Sequence, residues 1–332
     1  MNTQAAKWAI VGTGYISNRF AQGMRVVNDA ALSAVVSRSR ESAERFAQQY
    51  GASAIYTSFD DMLENADIDV VYIGIPNDLH YDYIMRALDH RIPVLSEKPM
   101  VDTVDQLNAV YRKAEEAGLF LMEGMWTRCF PAVRKVREWI AGGAIGAPLS
   151  VNVCFDIKPD MDDWQPWKAG IGHAGGSLRD VGIYALGVAN MVFPQKPVRI
   201  TSVFHSNGEV DDSCRLFLDY GEGRCAFAGG AFNQAGQTTA FITGSEGRIS
   251  FGPEFWDPSE ALLERNDGSS ERFSAPFPAT GFQYEITAVQ NALRKGLREC
   301  PDFTHAESRT VAGIIEETRK NWGIFYAADQ RA

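Results

Sequence analysis

The sequence predicts an α/β protein with two domains: a doubly wound parallel sheet at the N-terminus, and a C-terminal α+β domain with an open, mostly antiparallel sheet. Nearly all-apolar strands alternate with helices over the first third of the chain, which is typical of a parallel sheet covered on both faces. A glycine-rich turn separates the first strand from the first helix. After about Met125, shorter strand-like segments follow one another between turn signals. The 332 residues suffice for two domains, which we place at 1–124 and 125–332.

In the first domain, apolar runs rich in β-branched residues predict five strands, and the segments between them predict helices. The predicted strands are Trp8–Val11, Leu32–Val36, Val70–Ile75, Val94–Leu95 and Phe120–Met122. The predicted helices are Tyr15–Val27, Arg40–Tyr50, Leu79–His90 and Val104–Ala117. The last of these keeps its apolar residues three and four positions apart, so it presents one buried stripe.

In the second domain, one helix and a series of strands are predicted. The helix is Pro131–Ala141, and the strands are Leu149–Phe155, Val198–His205, Cys214–Tyr220, Arg224–Phe232, Thr239–Thr243, Arg248–Phe251 and Ala261–Glu264. Glycine-rich connections at 220–223 and 244–247 are short enough for hairpins. Two more helices are predicted at Phe282–Gly296 and His305–Ala327. The alternative that the last helix packs back on the first domain stays open.

The charge balance narrows the range of partners. Lys and Arg number 32 against 42 Asp and Glu, and the formal net charge of −10 disfavours nucleic acid and anionic membranes as partners. Five scattered cysteines indicate free thiols in a reducing compartment. The N-terminal residues show no signal peptide, and no apolar run is long enough to span a bilayer. We therefore expect a cytoplasmic protein whose partner is a small molecule.

The first chemical motif is the glycine-rich turn GTGYIS, residues 12–17. Gly12 permits a tight turn, and Gly14 lets the backbone approach a pyrophosphate. Tyr15 and Ile16 then open a helix whose N-terminal N–H groups suit an anion. Ser17 stands where Gly or Ala is usual, and we expect it to hold the helix slightly further from the strand. The turn predicts a dinucleotide-binding Rossmann domain.

The end of the second strand distinguishes between two cofactors. An NAD site usually carries Asp or Glu here, to hold the ribose 2′-hydroxyl. This chain has Ser37 and Arg38, with Arg40 nearby. A hydroxyl and guanidinium groups suit a 2′-phosphate, so NADP(H) is predicted and NAD remains an alternative.

The segment after the third strand of the first domain faces the same ligand crevice. We expect Ile75, Pro76, Asn77 and His80 to contact the cofactor, because the carboxyl ends of parallel strands line that crevice. The alternative for Asn77 is a structural role, in which its side chain caps the following helix. His80 lies in the first helical turn, where a neutral ring is expected. Acidic residues alternate with His80 instead of sharing a helix face with it, so no metal is predicted.

Two further segments carry polar groups suited to proton transfer. Glu97 and Lys98 end the short strand at 94–95, and Lys98 is expected to orient a substrate hydroxyl, with a surface ion pair as the alternative. Asp180 and Tyr184 are four residues apart after the glycines at 175–176. Tyr184 is a candidate proton donor if Lys98 lies near it. The alternative is that its ring only packs against neighbouring side chains of the helix. A second GxGxxG match at 170–175 follows no strand, so we interpret it as a loop.

These motifs together resemble one enzyme family. GTGYIS, PNDLH, EKP and GGSLRDVGIY are similar to the motifs of the glucose–fructose oxidoreductase, inositol dehydrogenase and MocA family. Residues 97–100 and 118–131 most resemble the branch that contains dimeric dihydrodiol dehydrogenase and NADP-dependent D-xylose 1-dehydrogenase. The resemblance implies that Lys98 is the catalytic lysine, that Tyr184 holds the position of a catalytic His or Tyr, and that Asp180 is the acidic residue of the same helix.

The resemblance also implies a substrate pocket and an assembly. Trp126, Arg128 and Phe155 would line the pocket near the nicotinamide. We expect Trp167 to line it as well, and a lid formed by Trp164 and Trp167 stays open. The bare face of the second sheet would form a homodimer or homotetramer.

We therefore predict an NADP-dependent dehydrogenase or reductase acting on a sugar, a polyol or a cyclic trans-diol. One alternative is a reductase of an anhydro-ketose or another sugar carbonyl. An alternative of a different class is a non-catalytic NADP-binding sensor, which would not need proton-transfer groups such as Lys98, Asp180 and Tyr184.

Overall fold

The computed structural model describes residues 5–158, 166–236, 238–252 and 254–330. The chain divides into two units. The first comprises Met1–Val101, Asp105–Trp126 and Phe277–His305, and the second comprises Asp102–Val104, Thr127–Pro276 and Ala306–Ala332. Residues 277–305 thus return to the first unit, although they follow most of the second in sequence.

The first unit is built on a six-stranded parallel sheet, in the order β3-β2-β1-β4-β5-β6. Its strands are β1 (Ala6–Val11), β2 (Ala30–Val36), β3 (Ala54–Tyr56), β4 (Val70–Ile73), β5 (Val94–Glu97) and β6 (Leu121–Gly124). Strand order reverses between β1 and β4, and in doubly wound sheets ligands bind at the carboxyl ends of the strands beside such a reversal. The turns that follow β1 and β4 are therefore the expected cofactor site.

The second unit contains an eight-stranded sheet in the order β14-β13-β12-β11-β7-β10-β9-β8. Its strands are β7 (Pro148–Asp156), β8 (Arg199–Ser206), β9 (Asp211–Gly221), β10 (Arg224–Ala231), β11 (Ala240–Gly244), β12 (Gly247–Phe251), β13 (Glu260–Arg265) and β14 (Ser270–Ser274). Only β7 and β10 pair in parallel among its described neighbours. The mostly antiparallel sheet and both predicted hairpins are confirmed.

Nine α-helices lie within the described residues. They are α1 (Tyr15–Met24), α2 (Arg40–Tyr50), α3 (Phe59–Asn65), α4 (His80–Asp89), α5 (Val104–Ala117), α6 (Pro131–Ala141), α7 (Ile183–Val192), α8 (Phe282–Arg294) and α9 (His305–Asn321). Helix α8 packs on α1 in the first unit, whereas α6 and α7 cover one face of the second sheet. In the part of the chain that the structure describes, none of these helices has the length and hydropathy needed to cross a bilayer.

The other face of the second sheet carries exposed apolar side chains. Phe227 is 51% exposed and Phe241 is 38% exposed, and both align with Asn152 on the strand between them. Phe217 continues the same row, and its ring contacts that of Phe227 at a centroid distance of 5.3 Å. The predicted open face is thus present within the second unit.

Candidate active site

The glycine-rich turn lies at the strand-order reversal of the first sheet. Gly12 has φ +96°, and a Cβ there would lie 2.5 Å from the carbonyl oxygen of Gly74, so only glycine fits. Gly14 is the N-cap of α1, and a Cβ on it would meet no described atom within 4 Å. Its backbone is therefore open to a pyrophosphate. Tyr15, which follows, is 62% exposed.

Ser17 differs from the usual small apolar residue at the third position of the motif, and the structure gives it a partner. Its side chain is fully buried, and its hydroxyl donates to the carbonyl oxygen of Gly74 at 3.3 Å. A Cβ on Gly74 would lie 2.6 Å from the Ser17 hydroxyl oxygen. Ser17 thus joins α1 to the end of β4 by a hydrogen bond.

The end of β2 meets the glycine-rich turn. The hydroxyl oxygens of Ser37 and Thr13 lie 3.2 Å apart. Arg38 is exposed, and it forms no hydrogen bond or ion pair with the rest of the described chain. Arg40 instead pairs with Glu44 at 3.0 Å on the surface of α2. Arg38 is therefore the better placed of the two arginines to bind a phosphate.

The turn after β4 is cross-linked by a buried histidine. His80 is fully buried, with Nδ1 3.0 Å from the carbonyl oxygen of Pro99 and Nε2 2.8 Å from that of Ile75. A neutral imidazole donates one hydrogen bond and an imidazolium donates two. These two contacts hold the ring in the turn, and the neutral ring expected from the sequence stays a prediction.

His80 and Asn77 take different places in this turn. His80 ties the turn after β4 to the segment after β5, and its contact with the cofactor stays a prediction. Asn77 is buried in a short 3₁₀ turn, Asn77–Leu79, after Pro76. Neither N-cap residue in this region, Pro76 or Leu79, makes a side-chain capping bond. No hydrogen bond therefore supports the alternative in which the Asn77 side chain caps the following helix.

Glu97 is directed into the first unit. Its side chain is 7% exposed and accepts hydrogen bonds from the Tyr72 hydroxyl at 2.7 Å and from the backbone N–H of Lys98 at 3.2 Å. Glu97 is therefore not part of an exposed surface ion pair. It anchors the backbone at the end of β5, where Lys98 is half-buried and follows directly.

Glu285 on α8 is a second buried carboxyl group close to Glu97, and sequence reasoning missed it. It is fully buried, and neither of its carboxyl oxygens has a hydrogen-bond partner within the described chain. Burial raises the pKa of Glu285 well above its usual range, and the negative charge of Glu97 raises it further. Glu285 is therefore protonated where an ordinary glutamate would be ionised.

Trp126 is held between two side chains of the first unit. Its ring stacks on that of Phe282 at a centroid distance of 4.7 Å, and the guanidinium carbon of Arg19 lies 5.5 Å from its ring. Arg19 also donates to the carbonyl oxygen of Thr280 at 3.2 Å. Trp126 is 6% exposed, so only a small part of its surface is available to a ligand. The sequence pattern indicated neither Arg19 nor Phe282.

Arg128 is buried in the second unit, where it forms an ion pair with Glu307. It also donates to the carbonyl oxygen of Gly187 at 3.1 Å. Burial lowers the pKa of the guanidinium, and the charge of Glu307 opposes this shift. These contacts indicate a structural role for Arg128, and its contact with a cofactor stays a prediction.

The segment that carries Asp180 and Tyr184 begins with an anchored turn. Asp211 accepts the Ser177 hydroxyl and the Leu178 N–H, each at 2.6 Å. Burial raises the pKa of Asp211, and these two hydrogen bonds oppose the shift. One turn of π-helix, Leu178–Gly182, then leads into α7. Isolated π turns are frequent at functional sites.

Asp180 has a lysine partner that the sequence did not indicate. Its carboxylate lies 3.0 Å from the Lys168 ammonium, and the two side chains are 15% and 31% exposed. Lys168 comes from the loop that contains the second GxGxxG match. Two short 3₁₀ turns, Pro166–Ala169 and Ile171–His173, lie in the described part of that loop, and residues 166–176 contain no strand.

Tyr184 lies among aromatic rings of the second unit. Its ring centroid is 5.8 Å from that of Phe155, and Phe155 stacks on Trp256 at 3.6 Å. Trp256 is partly exposed, and it was not among the predicted site residues. The pair Phe255-Trp256 shortly after a strand is the sequence signal that could have indicated it. Trp164 and the side chain of Trp167 fall outside what the structure describes, so the lid and this pocket contact remain expectations.

Two family models match the chain. Residues 6–125 match "Oxidoreductase family, NAD-binding Rossmann fold", and residues 133–250 match "GFO/IDH/MocA C-terminal domain". The first of these matches covers the glycine-rich turn, the end of β2 and Lys98.

Similar proteins extend the match to nearly the whole chain. Trans-1,2-dihydrobenzene-1,2-diol dehydrogenase from Mus musculus is 31% identical, with 98% of this chain and 100% of the relative covered. The Sus scrofa enzyme of that name is 32% identical, with coverage of 98% and 99%.

Solved structures show the same fold. A 3-ketoreductase from Actinomadura kijaniata, in complex with NADP and TDP-benzene, superposes with a TM-score of 0.82 at 25% identity, covering 95% of this chain and 98% of the other. An aldose–aldose oxidoreductase from Caulobacter crescentus, complexed with glycerol, has a TM-score of 0.85 at 24% identity, with coverage of 96% and 97%.

Proposed function

The chain belongs to the GFO/IDH/MocA family of NAD(P)-binding oxidoreductases, and from that premise we propose that it transfers a hydride between NADP(H) and a hydroxyl-bearing or carbonyl carbon of a sugar, polyol or cyclic trans-diol. The observation that carries the proposal is the turn at Gly12 and Gly14, which is closed on the side of Gly74 and open where a pyrophosphate would bind. The names of the curated relatives and the NADP bound to the Actinomadura ketoreductase support it.

The first unit fits a dinucleotide with a 2′-phosphate. The pyrophosphate would rest on the backbone from Gly12 to Ile16, at the N-terminus of α1. The 2′-phosphate would be held by the Ser37 hydroxyl and the exposed Arg38 guanidinium, a charge-assisted contact that NAD cannot make. When bound, the nicotinamide supplies the hydride acceptor or donor.

The protein's own residues supply the proton chemistry. We assign Tyr184 to the exchange of the proton on the substrate hydroxyl and Lys98 to polarisation of the substrate oxygen. Asp180, four residues before Tyr184, is assigned to balancing the charge of Lys168, with which it forms an ion pair. The Glu97 side chain holds the backbone N–H of Lys98, which fixes the place where the lysine leaves the strand. Trp126 and Phe155 are assigned to the walls around the reacting groups, and the position of Trp256 on Phe155 adds a third aromatic ring.

The second sheet is proposed as the assembly surface. Its uncovered face presents Phe227 and Phe241 on either side of Asn152, with Phe217 next to Phe227. Val203, which is 67% exposed, lies on the same face at the edge strand β8. Exposed apolar side chains that cluster on one face usually mark a protein interface. We propose that a second copy of the chain covers them, as a homodimer or homotetramer. Sedimentation of the wild type and of Phe227→Glu tests this, because the charge should shift the protein toward monomer, and an unshifted mass would contradict it.

Two alternatives are compatible with the same fold. The physiological direction can be reduction of a sugar carbonyl, which the name of the Actinomadura ketoreductase favours. A sensor that binds NADP without turnover is the second alternative. Lys98, Asp180 and Tyr184 argue against it, because a sensor needs no proton-transfer groups.

The proposal is tested by following nicotinamide reduction across pentoses, hexoses, inositols and cyclic trans-diols, with NADP⁺ and NAD⁺ in parallel. We expect turnover of a sugar or diol with NADP⁺, and its loss in Tyr184→Phe. Tyr220→Phe is a matched control, because Tyr220 is buried in the same unit and its hydroxyl bonds to no described group. No turnover in either direction by a protein that binds NADPH would favour the sensor.

A further inference from the structure

The C-terminal segment 324–329 is built into the second unit around one buried tyrosine. Tyr326 is 1% exposed, and its hydroxyl donates to the carbonyl oxygen of Gly175 at 2.7 Å. Its ring lies against two guanidinium groups, with the central carbons of Arg179 and Arg319 at 5.0 and 4.3 Å from the centroid. Both distances suit cation–π contacts.

Two carboxylates neutralise these arginines. Asp329 pairs with Arg319 through both oxygens, at 2.6 and 2.9 Å, and accepts the Tyr326 N–H at 2.8 Å. Asp102 pairs with Arg179 at 3.0 Å, and its carbonyl oxygen accepts from both arginines. All four charged side chains are at most 10% exposed. We call Asp102, Arg179, Arg319, Tyr326 and Asp329 the C-terminal clamp.

The clamp contacts the segment that leads to Asp180 and Tyr184. Gly175 and Gly176 lack side chains, and glycine loses more conformational freedom on ordering than other residues. Gly176 has φ +123°, and a Cβ there would lie 2.4 Å from Asp211. The peptide between Gly175 and Gly176 is held at both ends: its N–H donates to the carbonyl oxygen of Lys168 at 2.8 Å, and its carbonyl oxygen accepts from Tyr326. Arg179 lies within the π turn that follows.

We propose that Tyr326 is a positioning residue, which acts through Gly175 and Arg179 to hold the π turn and so to set the placement of Asp180 and Tyr184. This inference rests on the proposed function, in which those two residues act in substrate turnover. The C-terminal clamp lies within the second unit, whereas the turn at Gly12 lies within the first. It should therefore affect the rate of turnover and leave cofactor binding unchanged.

Whether the Tyr326 hydroxyl holds residues 175–182 in place is tested without any substrate. Amide hydrogen exchange over residues 175–182 is compared in the wild type, Tyr326→Phe and Tyr220→Phe. Tyr326→Phe keeps the ring between the arginines and removes only the hydroxyl. Loss of one neutral hydrogen bond should speed exchange there about fivefold, while Tyr220→Phe leaves it unchanged. Unchanged exchange in Tyr326→Phe would overturn the proposal.

The catalytic half is tested by steady-state kinetics of the same proteins. We expect a kcat about fivefold lower in Tyr326→Phe, with the dissociation constant of NADPH unchanged. Faster exchange with an unchanged kcat would overturn the positioning role. If Tyr326→Phe does not fold, Asp329→Asn, which weakens the pairing with Arg319, takes its place with the same readouts. A wild type without turnover would count against the proposed function alone, because the exchange comparison would still decide whether Tyr326 holds the segment.

Discussion

The hydroxyl oxygens of Thr13 and Ser37 lie 3.2 Å apart, so the glycine-rich turn after β1 is joined to the end of β2. This contact places the pyrophosphate turn beside the residue that would meet the adenosine ribose. Arg38 follows Ser37 with an exposed guanidinium that is unpaired within the described residues. The two parts of the proposed dinucleotide site are thus held together by side chains of the first unit.

Arg38→Ala should weaken NADP⁺ binding about 10- to 100-fold and leave NAD⁺ binding nearly unchanged, because a hydrogen bond to a charged group contributes about 1.5–3 kcal/mol. Arg40→Ala is the comparison variant, since Arg40 already pairs with Glu44, and a smaller effect is expected. Dissociation constants for both cofactors by calorimetry provide the measurement. An equal loss for NADP⁺ and NAD⁺ in Arg38→Ala would contradict a 2′-phosphate contact.

Gly12→Ala should mainly lower the stability of the protein, whereas Gly14→Ala should mainly lower its affinity for NADPH. At Gly12 an added Cβ lies 2.5 Å from a backbone oxygen and φ is +96°, so we expect a loss of about 1–3 kcal/mol of stability. At Gly14 the space is open, so the variant should melt like the wild type and lose affinity for NADPH. Thermal unfolding and fluorescence titration check the pair. A Gly12→Ala protein as stable as the wild type would refute the steric argument.

Lys98→Met should lower turnover by about 100- to 10,000-fold, the usual contribution of a group that assists proton transfer, while NADPH still binds. Lys113→Met is the control, because Lys113 forms a surface ion pair with Asp89 elsewhere in the first unit. Rates with a saturating substrate and NADPH titrations distinguish the effects. Near-native turnover in Lys98→Met would remove the lysine from the mechanism.

Glu285→Gln should make stability less dependent on pH. The raised pKa of Glu285, caused by burial and by Glu97, keeps the group protonated in the folded state while the unfolded chain has already ionised. Its contribution is therefore complete below about pH 4 and is lost as pH rises toward the folded-state pKa, by up to about 1.4 kcal/mol per pH unit.

The amide of Glu285→Gln does not titrate, so its melting temperature should fall less than that of the wild type between about pH 5 and pH 8. Glu64→Gln, at an exposed position on α3, is the control and should follow the wild type. Parallel melting curves for the wild type and Glu285→Gln at every pH would show that Glu285 is ionised in the folded protein.

Much of the fold is predictable because periodicity and glycine turns are local signals. The predicted helices Arg40–Tyr50, Val104–Ala117 and Pro131–Ala141 are confirmed with both ends. Strand β3, helix α3 and strand β14 were not among the predicted elements. They are short or largely exposed, and such segments carry little hydrophobic pattern.

The site was less predictable, because its residues depend on contacts distant in sequence. Gly12, Ser37 and Glu97 stand next to recognisable strand ends. By contrast, the packing of Glu285 beside Glu97 and of Trp256 on Phe155 joins segments about 100 or more residues apart. The two carbonyl partners of His80 depend on tertiary structure in the same way.

The most direct test of hydride transfer uses a substrate that is deuterated at the hydroxyl-bearing carbon. A sugar or diol that supports turnover is incubated with NADP⁺, and the reduced cofactor is analysed by mass spectrometry and NMR. We expect one deuterium at C4 of the nicotinamide with the wild type, and almost no reduced cofactor with Lys98→Met. Reduced cofactor without deuterium would contradict direct hydride transfer from that carbon to the nicotinamide.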